Sequence, residues 1–141
     1  MRKFLLFFGI ILSTLNISAQ QKDTPLSGIY SNVLQQGELM IFGNKGIKFK
    51  EVLSDSRCPA KVTCIWAGEA TILLEIFENG NFLRETEYTL NGGNNSLDFS
   101  EENILYHLSG MTLTPYPTVE AKNKAVIPNY HLQIMVTEKY L

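Results

Sequence analysis

The chain has 141 residues, a formal net charge of −2 and two cysteines, and 45% of its residues are hydrophobic. That length fits one domain. The charge excludes a strongly basic nucleic-acid binder and a long acidic tail, and two cysteines are too few for a disulfide-dense mini-protein or a four-cysteine zinc site.

At the N-terminus, Arg2 and Lys3 precede an apolar run from Phe4 to Leu12, and Ala19 supplies a small residue at a plausible cut. The order charged, apolar, small is that of a secretory signal peptide. The run falls well short of the roughly 20 apolar residues needed to span a bilayer as a helix. Residues 1–19 are therefore expected to be a signal peptide. Cleavage after Ala19 leaves 122 residues and removes Arg2 and Lys3, which moves the net charge from −2 to −4. No later stretch is long enough to cross a membrane, so the expected location is extracytoplasmic, either periplasmic or secreted. Residues 20–36 are polar and read as a loosely ordered N-terminal segment, and residues 37–141 read as a single β-domain.

Glu38–Phe42 and Ile47–Leu53 are apolar-rich and flank Gly43-Asn44-Lys45-Gly46, whose glycines and asparagine permit positive φ, so they form a hairpin candidate. Thr71–Phe77 is a dense apolar run with Glu75 inside it. It leads through Asn79-Gly80-Asn81 into Phe82–Leu90, a second hairpin candidate. Residues 91–96 are Asn, Gly and Ser and mark an exposed loop. Ser100 has the chemistry to cap a helix running toward Gly110. The alternation of Tyr106, Leu108, Met111 and Leu113 favours a strand there instead, entering a loop at Pro115 and Pro117. Tyr130, Leu132, Ile134 and Val136 alternate with His131, Gln133, Met135 and Thr137, which predicts a core strand. Frequent turns and little helical periodicity point to an all-β chain, an antiparallel β-sandwich or partly open barrel with one short-loop disulfide.

The disulfide belongs to residues 53–70, which hold both cysteines, Cys58 and Cys64. In an oxidising compartment two neighbouring cysteines with no others present pair. The closed loop is short, worth about 2–2.5 kcal/mol in the chain-entropy model, so the bridge is expected to fix a local shape rather than hold the domain together. Pro59 stiffens the turn. Asp55 and Ser56 have side chains suited to bonding nearby amides. Arg57 has Asp55, Glu69 or a backbone carbonyl within its possible reach. Gly68 indicates a bulge or a close backbone approach. Trp66, the only tryptophan, reads first as a plug of the core beside the bridge and second as an exposed stacking platform.

Asp55-Ser56-Arg57-Cys58-Pro59, followed by Val62, Cys64, Trp66 and Gly68, resembles the signature Asp-Ser-Arg-Cys-Pro-x-x-Val-x-Cys-x-Trp-x-Gly of small secreted bacterial proteins of unknown function. A Pro-x-Pro segment and a final strand follow, as Pro115-Tyr116-Pro117 and Tyr130–Val136 do here. The resemblance spans residues 38–137. It implies a secreted β-rich domain and brings no activity with it.

The chemistry-bearing residues are sparse. His107 and His131 are the only histidines, and His131 falls on the face opposite Tyr130, Leu132 and Ile134. Two separated histidines fall short of the three or four protein ligands of an ordinary metal site, so no metal and no cofactor are expected. Gly-x-Ser-x-Gly, His-Glu-x-x-His and phosphate-binding glycine loops are absent. Asp98, Glu101 and Glu102 read as a solvated loop rather than a catalytic carboxylate pair. No catalytic residues are assigned. The expectation is a non-enzymatic binding or structural module of the cell envelope, with a protein, peptide or glycan partner and no nucleic-acid partner. Asp55, Arg57, Trp66 and Gly68 are its structural corner or binding residues. The alternatives are a small carboxylate/histidine hydrolase, or a protease inhibitor presenting basic residues on the 57–64 disulfide loop.

Because the covalent loop is short, reduction is expected to leave most of the β-structure intact. Far-UV circular dichroism through a thermal melt in reductant checks this; loss of a cooperative transition would refute it.

Overall fold

The structure is a computed structural model that describes residues 28–93, 95–101, 103–120 and 126–141. The expected signal peptide, residues 1–19, and the start of the N-terminal segment lie outside the described residues. Among the described residues the elements are eight strands: β1 (Ile29–Gln35), β2 (Leu39–Phe42), β3 (Lys45–Asp55), β4 (Ala70–Glu78), β5 (Asn81–Leu90), β6 (Leu97–Glu101), β7 (Ile104–Thr114) and β8 (His131–Tyr140). They form two antiparallel four-stranded sheets, in the orders β1-β8-β7-β6 and β2-β3-β4-β5. The chain is thus all-β, two sheets not closed into a barrel. Among the described residues no helix is long and apolar enough to cross a membrane.

Local chemistry explains most of the hairpins. Gly43 lies at positive φ in the β2–β3 turn, and Asn79 and Gly80 both do in the β4–β5 turn, a conformation that Asn and Gly reach at least cost. The β6–β7 segment is a hairpin rather than a helix. Ser100 sits in β6, Asn103 turns the chain at φ 70°, and Glu101 pairs with Ile104. The period-2 reading of Tyr106 and Leu108 is therefore the one the fold uses.

One segment departs from expectation. Ile29–Gln35, read as loosely ordered, forms β1 and pairs with β8 along its whole length, Ile29 opposite Thr137 and Gln35 opposite His131. The polar composition misleads because β1 is an edge strand. Leu34 is its one fully buried side chain, and the ladder to β8 supplies the order that an apolar pattern would otherwise signal.

The core lies between the sheets. Ile47, Phe49, Ile72, Leu74 and Ile76 face in from one side, and Leu108, Leu113, Leu132, Ile134 and Val136 from the other. Phe42 sits between Tyr30 and Tyr106, with ring centroids 5.8 and 5.7 Å away. Glu75, the charge inside the apolar β4 run, points outward and ion-pairs with Lys48 and Lys50 across β3. The inward face is apolar over its centre, as period 2 requires, with buried Lys45, paired to Glu78, and buried Glu138 toward its ends.

Phe42→Ala is expected to lower the unfolding free energy by about 3–5 kcal/mol, as large-to-small core substitutions do, and Phe42→Leu by clearly less. Urea unfolding of both variants measures the pair.

Candidate functional site

The connection from β3 to β4 is not a tight turn. Residues 56–69 leave the sheet, form the disulfide corner and return. The ladder continues past the strand ends: Ser56 N donates to Glu69 O (2.8 Å) and Cys58 N to Ala67 O (2.8 Å). Gly68 lies at φ +70°, and a Cβ there would sit 2.2 Å from Ser56 O. The expected close approach is real, and any side chain would break it. Cys58 and Cys64 are bonded. The corner is also pinned from outside, where Ala60 N donates to Pro117 O (2.9 Å).

Arg57 is the hub beneath this corner. Its side chain is buried, as is that of Asp55. Nε donates to Asp55 Oδ1 (2.9 Å) and an Nη to Asp55 Oδ2 (2.7 Å), a bidentate pair. The remaining fork reaches the other sheet, donating to Leu113 O and to Pro115 O (2.9 Å). The guanidinium also lies 4.4 Å from the centre of the Tyr116 ring. Asp55 accepts a further bond from Tyr130 Oη (2.9 Å). Sequence reasoning offered Asp55, Glu69 or a backbone carbonyl to Arg57; its side chain bonds Asp55 and two carbonyls, and the backbone of Glu69 bonds the Ser56 hydroxyl.

The electrostatics follow. Burial pushes the Asp55 carboxyl up, but the Arg57 bonds outweigh it and hold the group below its ordinary value of 3.8. Arg57 is held above its ordinary value: burial opposes this and the Asp55 bond overcomes it. Burial, aided by the bond to Asp55, pushes the Tyr130 phenol up from 10.0 to about 12.

Trp66 is not the core plug of the first reading. It is 77% exposed, and Ile65 beside it is fully exposed. The space beneath the corner is filled by Arg57, Asp55 and Tyr130, and the disulfide segment carries Trp66 over the outside. The corner borders a cleft of about 690 Å³. Cys58, Ala67 and Gly68 form one wall, residues 91–93, 95 and 96 another, and the β7 stretch from His107 to Leu113 the floor. β6 pairs with β7 only up to Leu108 and β7 bulges between Ser109 and Thr112, which leaves room for the cleft. The exposed backbone of β7 is closed by Arg57 at Leu113 O and by Asn95 Nδ2 at Met111 O (3.5 Å).

Sequence reasoning missed one pair. Asp98 and His107 face each other across β6–β7, and Asp98 Oδ1 bonds His107 Nδ1. Placing the turn at residues 102–103 and counting outward would have found it. His131 lies six register positions further along β8 from the partner of His107, about 20 Å away, so the two histidines do not share a site. Among the described residues no three His, Cys, Asp or Glu side chains gather as a metal site would require. On the 57–64 loop Arg57 is buried, and the exposed cation, Lys61, sits at φ 65°. That is not the extended backbone of a protease substrate. No family model, curated protein or solved structure matches this chain.

The Asp55–Arg57–Tyr130 group sets two pH limits. The charged form of Asp55 is favoured by folding, so its contribution is present above pH 3.8 and lost as pH falls through its lowered value. The neutral form of Tyr130 is favoured, so its contribution is full below pH 10.0 and lost as pH rises through about 12. Asp55→Asn is expected to cost about 3–5 kcal/mol at neutral pH, because it leaves Arg57 buried without its counter-charge, and to flatten the acid limb. Tyr130→Phe is expected to flatten the alkaline limb. Urea unfolding free energies across the pH range, compared with the unsubstituted protein, test both.

Proposed function

We propose that the mature chain is an extracytoplasmic, non-enzymatic β-sandwich module that binds a protein, peptide or glycan of the cell envelope through the disulfide corner and the cleft beside it. The observation that carries the reading is Trp66. A large aromatic side chain 77% exposed, on backbone braced by a disulfide and a short hydrogen-bond ladder, is costly to leave in water and cheap to bury against a partner. Rigid backbone lowers the ordering cost of binding, exposed apolar clusters mark interaction sites, and Trp dominates binding hot spots. The charge-apolar-small N-terminus, the bridge and the resemblance of the Asp55–Gly68 segment to small secreted proteins support the compartment.

The hydrolase reading keeps one supporting observation, the Asp98–His107 pair at the cleft. Among the described residues no hydrogen bond links a nucleophile to that histidine, which favours binding over bond cleavage.

The test screens the protein lacking residues 1–19 against a glycan array and a peptide library, with isothermal titration calorimetry of each hit as the direct readout. Binding in either screen is expected, and Trp66→Ala is expected to weaken it by roughly tenfold or more with the melting temperature unchanged. No binding in either screen at millimolar ligand, or binding indifferent to Trp66→Ala, overturns the proposal.

A further inference from the structure

Among the described residues the cleft has a neutral lining. Arg57, the cationic side chain among them, is neutralised by Asp55 within hydrogen-bond distance. His107, the other titratable nitrogen base among them, is paired with Asp98. No Lys, Asp or Glu is among the described residues that line it. Among those residues an anionic ligand such as a phosphate or a uronate finds no uncompensated cation, and a cationic ligand no spare carboxylate.

Uncommitted hydroxyls line it instead. The hydroxyls of Ser96, Ser109, Thr112 and Tyr116 have no hydrogen-bond partner among the described residues. At His107, Asp98 occupies Nδ1 and so leaves Nε2 for a ligand, as an acceptor when Nδ1 carries the proton. Hydroxyls both donate and accept, so this set matches a ligand whose own groups do the same. A hydrocarbon ligand would leave much of it unsatisfied.

The wall adds an aromatic face. The Tyr116 ring, half exposed, is held flat on one side by the Arg57 guanidinium at 4.4 Å. Such a face receives the C–H face of a pyranose ring. A volume of about 690 Å³ lies in the range of small-molecule sites and exceeds what one hexose fills.

We infer that the cleft is a binding site for an uncharged saccharide, with His107 Nε2, Ser109 and Thr112 bonding ring hydroxyls and Tyr116 carrying a sugar face. This rests on the binding-module reading above and narrows it to one ligand class.

Isothermal titration calorimetry of the protein lacking residues 1–19 with cellohexaose, maltohexaose and chitohexaose, an oligogalacturonate, and an uncharged Gly/Ser/Asn hexapeptide tests it. At least one neutral oligosaccharide is expected to bind, and the oligogalacturonate no more tightly than the neutral sugars. Thr112→Val, which keeps the shape and removes the hydroxyl, and His107→Ala are each expected to weaken the sugar about five- to tenfold with unchanged thermal melts. Tighter binding of the oligogalacturonate overturns the assignment of a neutral ligand. Peptide binding without sugar binding overturns the saccharide site and leaves the binding module standing. Sugar binding unaffected by both variants places the sugar elsewhere and overturns this site. No binding by any probe, together with empty glycan and peptide screens, overturns both readings.

Discussion

The Arg57 guanidinium joins the two sheets at one end of the sandwich, and the geometry of the corner depends on it. Asp55 ends β3 in one sheet; the carbonyls of Leu113 and Pro115 and the Tyr130 hydroxyl belong to the last turns of β7 and the approach to β8 in the other. A planar fork with several donors satisfies the Asp55 carboxylate and both carbonyls at once, which a lysine does not, while Tyr130 donates to the same carboxylate. Buried charge pairs are costly to assemble and costlier to break. Such a clamp specifies one relative placement of the sheets at this end rather than adding much net stability.

That placement produces the cleft. With Arg57 anchored under the corner, the 56–69 excursion cannot fold inward, so the disulfide segment projects Ile65 and Trp66 into solvent. The same guanidinium closes the backbone of β7 at Leu113 beyond the point where β6 stops pairing. The bulge at Ser109–Thr112 and residues 91–93, 95 and 96 then leave a hollow with polar walls. The disulfide and the Gly68–Ser56 contact set the shape of one wall in advance, so a ligand would meet a preorganised surface.

Much of this was legible residue by residue. Alternation along β8 identified a core strand, and Asn79-Gly80 identified a turn. The cysteine pair, Pro59 and Gly68 identified a local corner with a close approach. Trp66 was misread because its neighbours in sequence are a disulfide and apolar residues, the usual surroundings of a core plug, and nothing nearby reveals that Tyr130 and Arg57 already occupy that space. The Asp98–His107 pair was hidden for a smaller reason: it needs only the hairpin register, but the hairpin itself competed with a capped helix. β1 was hidden because an edge strand with one buried side chain carries almost no apolar period.

By itself the sequence determined what contacts a few residues apart can determine: strand period, turn chemistry, the covalent loop, and the local Asp55–Arg57 pair two positions apart. Tertiary structure alone decided which side of the corner faces water, what fills the space beneath it and which polar groups gather around the cleft. Those depend on Leu113, 56 positions from Arg57, and Tyr130, 75 positions from Asp55. Proximity over such separations is set by sheet order and by the β5-to-β6 crossing between sheets. It comes from packing the whole apolar face of each sheet, a collective quantity that no local pattern encodes.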